Sequence, residues 1–227
     1  MNEKKFKSLP SPALRMFRAV IFDMDGVVID SEESHILSEK KAFSKYGIKI
    51  KSNELREYSG TTAKYMFSML IEKYNLDAVP DDILNEKNKW IYDYVKEKAV
   101  LFRGFSELVR ELKRMKVKTA LASSSPKKLV EFVVKNYNLR SVFNAVVSGD
   151  DVAKSKPDPE IFLLAARLLG IKPEDCAVIE DAVTGVVSAK SAGMYCIAVT
   201  NTFPKEKLKI ADLIIRSLEE LKDKFHE

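Results

Sequence analysis

The apolar positions follow two different rhythms along the chain. Short apolar runs of strand length begin near residue 18 and recur between residues 117 and 215, separated by segments with the period of an amphipathic helix. Residues 31–99 carry the helical period alone. Strands that alternate with helices through short connections predict a parallel sheet. We therefore predict an α/β fold, with a Rossmann-like parallel sheet core, helices on both faces and an inserted all-helical unit.

These rhythms divide the chain into three parts. Residues 1–15 are polar and basic, lack the apolar core of a signal peptide, and are expected to form a flexible leader. Residues 16–30 and 100–227 are predicted to form the core domain, and residues 31–99 the helical insert. Because the insert follows the first strand, we expect it to be rooted beside the carboxyl end of that strand, with hinges near 29–32 and 97–102.

The first predicted strand ends at two acidic residues. Asp23 and Asp25 follow the run Ala-Val-Ile-Phe, and Gly26 lets the chain turn sharply or pass close to a ligand. Open parallel sheets bind ligands beyond the carboxyl ends of their strands. Two carboxylates this close suit a hard divalent cation, with Mg²⁺ the first choice. Taken alone, the motif could also be an acidic turn without a role.

Later segments place further polar residues at the same edge of the predicted sheet. Ser123 ends an apolar strand, and Lys156 lies in the loop after the third strand of the core. Glu180 and Asp181 end the next strand. Singly, they could be a turn serine, a solvated lysine and the start of a helix. Together with the two aspartates they supply a nucleophile, an acid, a hydroxyl, a cation and metal-binding oxygens, the groups that phosphoryl transfer requires.

The composition is ordinary for a globular protein. The 227 residues are 46% hydrophobic and 31% charged, with a net charge of +5. The excess lysine is spread along helical faces, so we expect an anionic small substrate and no nucleic acid partner. No apolar run approaches transmembrane length, so no membrane association is expected. Cys176 and Cys196 lie in strand-like runs and are expected to be buried free thiols of a cytoplasmic, monomeric protein.

Taken in order, the motifs resemble those of the haloacid dehalogenase superfamily of phosphohydrolases. The resemblance is to the subgroup in which a helical cap follows the first motif, so it implies that residues 31–99 form such a cap. Within the superfamily, the chain is most similar to β-phosphoglucomutases and sugar-phosphate phosphatases. The motifs match at residues 23–26 (Asp-Met-Asp-Gly), at Ser123, at Lys156 in Ser-Lys-Pro-Asp-Pro, and at Glu180-Asp181 followed by Gly185.

The resemblance implies a role for each motif residue. Asp23 would attack phosphorus and form an aspartyl-phosphate. Asp25 would protonate the leaving oxygen and then deprotonate the incoming water or hydroxyl, which requires a raised pKa for Asp25 if it is to carry a proton at neutral pH. Ser123, Ser124 and Lys156 would hold the oxygens of the transferring phosphoryl group.

A Mg²⁺ site is implied by the same resemblance. Its ligands would be Asp23, Asp25 through its backbone carbonyl, and Asp181, with Glu180 in support. The second aspartate argues against the dehalogenase branch of the superfamily, because a halide leaving group needs no acid.

Two cap residues are candidate substrate contacts by resemblance. His35 falls where the mutases carry a histidine just inside the cap, although it could also be an exposed helical residue without a role. Lys87 lies in a segment similar to one that binds a distal phosphate. Where the mutases place an arginine, this chain has Ala63 with Lys64 beside it, and lysine lacks the bidentate fork of arginine.

We therefore expect a Mg²⁺-dependent phosphatase that acts on a small phosphorylated metabolite, with a sugar phosphate favoured. The first alternative is a phosphomutase of the β-phosphoglucomutase type, which would pass the phosphoryl group to a sugar hydroxyl instead of water. The second is a non-catalytic protein that binds a phosphorylated metabolite. The motif carboxylates argue against it, because a binding protein gains little from an acid beside a nucleophile.

Overall fold

The computed structural model describes residues 17–58 and 62–221, so the predicted leader at 1–15 lies outside the described residues. Within those ranges, six parallel strands form one sheet in the order β5-β4-β1-β6-β7-β8. The strands of this sheet are β1 (Ala19–Phe22), β4 (Lys118–Ala122), β5 (Ala145–Val147), β6 (Cys176–Glu180), β7 (Tyr195–Val199) and β8 (Leu213–Ile215). A separate antiparallel pair comprises β2 (Ile29–Asp30) and β3 (Val100–Leu101).

Two groups of α-helices accompany the strands. The first group lies between β2 and β3 and comprises α1 (Glu32–Ser44), α2 (Ser52–Arg56), α3 (Ala63–Lys73) and α4 (Pro80–Lys98). The second group alternates with the strands of the sheet and comprises α5 (Phe105–Arg114), α6 (Lys127–Asn136), α7 (Glu160–Leu169) and α8 (Val183–Ser191). The predicted α/β class, with a parallel core sheet and an all-helical insert, is confirmed.

The first strand occupies the middle of the sheet. β1 pairs with β4 on one side and with β6 on the other, and all of its residues are buried. Val20 and Phe22 join the core layer that contains α5 and α6, whereas Ala19 and Ile21 join the layer that contains α7 and α8. The uninterrupted apolar run of β1 is therefore a consequence of burial on both faces.

The position of β1 determines where the motif residues meet. β4, β1 and β6 are parallel neighbours, so their carboxyl ends lie side by side at one edge of the sheet. The chain runs from β1 to β4 on one side and later reaches β6 on the other. Such a reversal leaves a crevice at the carboxyl edge, where open α/β sheets bind ligands.

The helical insert has an apolar core of its own. α1 and α3 both pack against α4, and Phe43, Phe67 and Ile83 are completely buried among them. The chain enters the insert through β2 and leaves it through β3, and these two strands pair with each other. This pair lies at the expected hinges, while the division into domains at residues 30 and 100 stays a prediction.

Two expectations from composition can be compared with the structure. Cys176 and Cys196 are buried free thiols, as expected, and burial raises the pKa of Cys176 to about 12. Burial raises the pKa of Cys196 as well. Along the described part of the chain, no helix combines the length and the apolar content needed to cross a membrane.

Replacing Phe22 with Ala should destabilise the fold strongly. Phe22 is completely buried in the central strand, and its ring packs edge-on against Phe105 and Phe143 at centroid distances of 5.6 and 6.0 Å. We expect a loss of about 3–5 kcal/mol in the free energy of unfolding, measured by urea denaturation. Leu168→Ala, at an exposed position on α7, is the control and should change it by less than about 0.5 kcal/mol. Equal effects of the two substitutions would contradict the central position of β1.

Candidate active site

Asp23 lies at the carboxyl end of β1 and is held against the sheet. Its backbone N–H donates to the carbonyl of Ile179 at 3.0 Å, and its side chain is buried. The ammonium of Lys156, from the loop between β5 and α7, contacts Asp23 Oδ1. The same ammonium donates to Glu180 Oε1 at 2.7 Å. Lys156 therefore joins the ends of β1 and β6 through a pair of buried charge contacts.

The carboxylates around Lys156 outnumber it. Burial raises the pKa of Asp23, and the charges of Glu180 and Asp25 raise it further, while Lys156 lowers it; the pKa of Asp23 ends well above its usual range. Burial also raises the pKa of Asp181, and Glu180 and Asp23 add to that rise. A buried site with this excess of negative charge favours a bound cation.

Glu180 is fixed by the turn that follows it. Its Oε2 accepts from the backbone N–H groups of Asp181 and Ala182, both at 2.8 Å, while Oε1 accepts from Lys156. A Cβ added to Gly185 would lie 1.6 Å from Oε1, so a side chain at that position would displace the carboxylate. The Glu180 carboxylate is thereby occupied in holding Lys156 and the turn.

Asp181 lies against the turn of the first motif. Gly26 has a φ of +82°, and a Cβ added there would lie 1.9 Å from Asp181 Oδ2. The Thr202 hydroxyl donates to the same carboxylate oxygen, and the Asn201 amide donates to the Gly26 carbonyl at 2.7 Å. Sequence analysis missed this loop after β7. The signal that could have found it is the polar run Thr-Asn-Thr at 200–202, directly after a buried strand.

The Asp25 carboxylate is held by three side chains, those of Ser31, His35 and Ser125. Its Oδ1 accepts from the Ser31 hydroxyl at 2.5 Å and lies 3.2 Å from His35 Nε2. Its Oδ2 accepts from the Ser125 hydroxyl at 3.0 Å. His35 thus lies beside Asp25, while its assignment as a substrate contact stays a prediction. Sequence analysis did not identify Ser31 or Ser125 as site residues.

These contacts favour the ionised form of Asp25. Burial raises the pKa of Asp25, but the hydrogen bond and the charge of His35, with the hydrogen bonds of Ser31 and Ser125, lower it more, and the result is about 2. A general acid at neutral pH would require a raised pKa, and this arrangement lowers the pKa of Asp25 instead. The physical reason is that three side chains from outside the motif, those of Ser31, His35 and Ser125, converge on one carboxylate.

The serine turn after β4 contains the two serines predicted to bind phosphate, Ser123 and Ser124, which differ in exposure. Ser123 is buried, and its hydroxyl oxygen accepts from the N–H of Ser125 at 3.0 Å. Ser124 is exposed, and its carbonyl lies so close to Gly149 that a Cβ there would approach it to 2.4 Å. The assignment of Ser123 and Ser124 to phosphate binding stays a prediction.

Lys87 lies inside the cap. Its ammonium donates to Glu39 Oε1 at 2.7 Å, and both side chains are 9% exposed. Lys64, the residue beside Ala63, contacts Asp81 Oδ1 at 2.8 Å on the cap surface. Each of these two lysines therefore has a carboxylate partner. The predicted contact of Lys87 with a distal phosphate stays a prediction.

The residues present fit a magnesium ion that keeps several water ligands. Among the residues that the structure describes, no group of three or more His, Cys, Asp or Glu side chains could hold a metal ion. Glu180 is bound to Lys156, and the Asp25 carboxylate is held by His35 and two serines. Asp23 and Asp181 remain as buried carboxylates with raised pKa values, and the Asp25 carbonyl is a further oxygen donor. One or two carboxylates with water are a usual environment for Mg²⁺.

Replacing Gly185 with Ala should lower the melting temperature. The new Cβ would overlap Glu180 Oε1 and disturb its contact with Lys156. In an ordinary helix interior, a Gly→Ala change stabilises the protein by about 0.5–1 kcal/mol. A lower melting temperature of Gly185→Ala would therefore be opposite in sign to the ordinary effect. Calorimetric unfolding measures the effect. Ser191→Ala, at an exposed position of the same helix, is the control and should leave the melting temperature nearly unchanged. A more stable Gly185→Ala variant would show that Glu180 is not confined as described.

Comparison with known proteins places the motifs in a family. Residues 20–199 match the model of the haloacid dehalogenase-like hydrolases. The β-phosphoglucomutase of Bacillus subtilis (strain 168) is 33% identical over 215 residues, which cover 90% of this chain and 91% of that protein. The phosphorylated carbohydrates phosphatase of Thermotoga maritima is 33% identical over 180 residues, which cover 78% of this chain and 82% of that protein.

A solved structure shows the same architecture over almost the whole chain. CbbY from Rhodobacter sphaeroides, in complex with phosphate, superposes with a TM-score of 0.81 at 27% identity, covering 93% of this chain and 100% of that one. The matched region of the family model includes all four motifs. The resemblance drawn from the motifs is confirmed, and the chain belongs to the haloacid dehalogenase-like hydrolase family.

Proposed function

We propose that the chain is a Mg²⁺-dependent phosphoric monoester hydrolase acting on a small phosphorylated metabolite, in the first place a sugar phosphate. The observation that carries the proposal is the arrangement of the two aspartates. Asp23 is buried against Lys156, while Asp25, two residues later, is held by His35 and two serines. A nucleophile and a proton-transfer group thus lie side by side in different environments.

Asp23 is the nucleophile of the proposed reaction. One of its carboxylate oxygens forms a bond to phosphorus while the bond from phosphorus to the leaving oxygen breaks, which gives an aspartyl-phosphate. Water then attacks the same phosphorus and restores the Asp23 carboxylate. Lys156, in contact with Asp23, would hold a phosphoryl oxygen and offset its developing negative charge.

Asp25 and His35 transfer the protons in the two steps of the proposed reaction. As a carboxylate, Asp25 is ready to accept a proton from the attacking water in the second step. In the first step the leaving oxygen takes a proton from the Asp25–His35 pair, whose facing atoms are 3.2 Å apart and can share one. Ser31 and Ser125 fix the direction of the Asp25 carboxylate and so position it for both steps.

The donor set around Asp23 supports a requirement for the cation. Bound by Asp23, Asp181 and the Asp25 carbonyl, Mg²⁺ would neutralise negative charge on the phosphoryl group. Burial raises the pKa of Asp23, so a nearby cation also keeps the nucleophile ionised at neutral pH.

A phosphomutase is the second candidate function. Its support is the 33% identity to the Bacillus subtilis β-phosphoglucomutase and the position of His35 beside Asp25. Both candidates share the aspartyl-phosphate and differ only in the acceptor, which is water in a phosphatase and a sugar hydroxyl in a mutase.

Asp23→Asn should reduce phosphate release by about 10³-fold or more, because the amide keeps the shape of the carboxylate but removes the nucleophile. The measurement is release of inorganic phosphate from a panel of sugar phosphates in the presence of Mg²⁺. Asp175→Asn, which lies before β6 at the opposite edge of the sheet, is the matched control and should retain activity. Full activity of a folded Asp23→Asn protein would refute the covalent mechanism.

Removal of divalent cations with EDTA should abolish turnover, and added Mg²⁺ should restore it. Asp181→Asn should then raise the Mg²⁺ concentration needed for half-maximal rate by about tenfold or more, since one of two carboxylate ligands is lost. A Mg²⁺ titration of the rate measures both effects. An unchanged rate in EDTA would contradict the proposed metal requirement.

A further inference from the structure

The loop after β7 reaches across the end of β6 to the turn of the first motif. β7 pairs with β6, and β6 lies between β7 and β1 in the sheet. The side-chain amide of Asn201 donates to the Gly26 carbonyl at 2.7 Å, and the Thr202 hydroxyl donates to Asp181 Oδ2. The loop therefore contacts both turns that supply the proposed Mg²⁺ ligands, the turn after β1 and the turn after β6.

The loop is anchored on both sides of these two residues. On one side, the backbone N–H of Thr200 donates to the carbonyl of Ile215, in β8, at 3.0 Å. On the other side, the ring of Phe203 is buried in the core layer that contains α7 and α8. Asn201 and Thr202 are exposed and lie between the two anchors. The fold therefore sets the positions from which their side chains reach the site.

Thr202 holds one oxygen of the Asp181 carboxylate. On the other side of that oxygen is the Gly26 turn, where an added Cβ would lie 1.9 Å from Asp181 Oδ2 and 3.1 Å from Oδ1. Oδ2 is thus confined between the turn and the Thr202 hydroxyl. Within the described part of the chain, Oδ1 accepts no hydrogen bond. A carboxylate that is held through one oxygen keeps the other available to a cation.

Asn201 holds the turn of the first motif. The Gly26 N–H donates to the Ile29 carbonyl at 2.9 Å, and the Gly26 carbonyl accepts from Asn201. The peptide bond between Asp25 and Gly26 is trans, so its carbonyl points opposite to its N–H. The two hydrogen bonds therefore fix both peptide groups of Gly26 and, with them, the direction of the Asp25 carbonyl, the proposed backbone ligand.

We propose that Thr202 and Asn201 are positioning residues for Mg²⁺, Thr202 through Asp181 and Asn201 through the turn of the first motif. The inference rests on the Mg²⁺ requirement of the proposed function and assigns to that site two residues outside the four motifs. Groups that orient metal ligands in this way commonly contribute about 10- to 100-fold to metal affinity. The contacts tie the turns after β1 and β6 together, so the donors on both turns stay in place before the cation binds.

The test is calorimetric titration of the full chain with Mg²⁺ in the absence of substrate. Thr202→Val keeps the branched shape of the side chain but removes the hydroxyl, and it should raise the Kd for Mg²⁺ by about tenfold or more. Asn201→Ala should raise it by a similar factor, because the Gly26 carbonyl loses its donor. Thr202→Ser retains the hydroxyl and should bind Mg²⁺ as the wild-type protein does.

Thr200→Val is the matched control. It makes the same chemical change in the same loop, at a residue that is held through its backbone N–H, and should leave the Kd for Mg²⁺ unaltered. Melting temperatures in EDTA and in Mg²⁺ separate positioning from general stability. A loss of fold stability lowers both temperatures alike, whereas a loss of positioning in Thr202→Val reduces the rise that Mg²⁺ produces.

The role of Thr202 would be overturned by unchanged or tighter Mg²⁺ binding in Thr202→Val, by an equal effect of Thr200→Val, by a Thr202→Ser protein that binds as weakly as Thr202→Val, or by an unaltered Mg²⁺-induced rise in melting temperature. Unchanged binding in Asn201→Ala would overturn the role of Asn201.

Failure of this inference can be told from failure of the proposed function. If the wild-type protein binds Mg²⁺ and Thr202→Val and Asn201→Ala bind it more weakly, the inference stands even where no sugar phosphate in the panel is hydrolysed, and only the proposed function fails. If the wild-type protein hydrolyses sugar phosphates with Mg²⁺ and the variants bind Mg²⁺ equally well, only the inference fails. If the wild-type protein binds no Mg²⁺, the proposed metal requirement fails, and the inference fails with it.

Discussion

The position of Lys156 between Asp23 and Glu180 is the interaction on which the rest of the site depends. All three side chains are buried, and breaking such a pair costs on the order of 3–5 kcal/mol. Burial lowers the pKa of Lys156, but the two carboxylates raise it more, so the ammonium stays charged. The charges can meet only because β1 and β6 are parallel neighbours whose carboxyl ends coincide, with the loop before α7 folded over them.

The remaining features of the site follow from that arrangement. Gly185 leaves space for the carboxylate of Glu180, and Gly26 leaves space for that of Asp181. One ammonium does not balance the buried carboxylates, so the site favours a cation and, with it, an anionic substrate. Asp25 adds to the negative charge around Asp23, but its own carboxylate is held by the cap and the serine turn. The two aspartates of one short motif therefore lie in different environments.

The features that could be predicted from the sequence are those encoded by neighbouring residues. The strand periods and the polar residues at strand ends identified the core sheet, the helical insert and the four motifs. The contacts of Asp25 could not be predicted, because they depend on how α1 and the loop after β4 approach the end of β1. The same reason explains why Thr202 was missed. It also explains why the sequence did not indicate Glu39 as the partner of Lys87, a residue that the family resemblance suggested as a phosphate contact.

The central claim is that water, rather than a sugar hydroxyl, accepts the phosphoryl group from Asp23. The Asp25 carboxylate can take a proton from either acceptor, so the products of both reactions have to be followed. The most direct measurement follows inorganic phosphate and glucose 6-phosphate together while the protein acts on β-glucose 1-phosphate and other sugar phosphates with Mg²⁺. Our account predicts phosphate release from one or more of them with little glucose 6-phosphate. Rapid formation of glucose 6-phosphate with little free phosphate would contradict it and would identify the chain as a mutase.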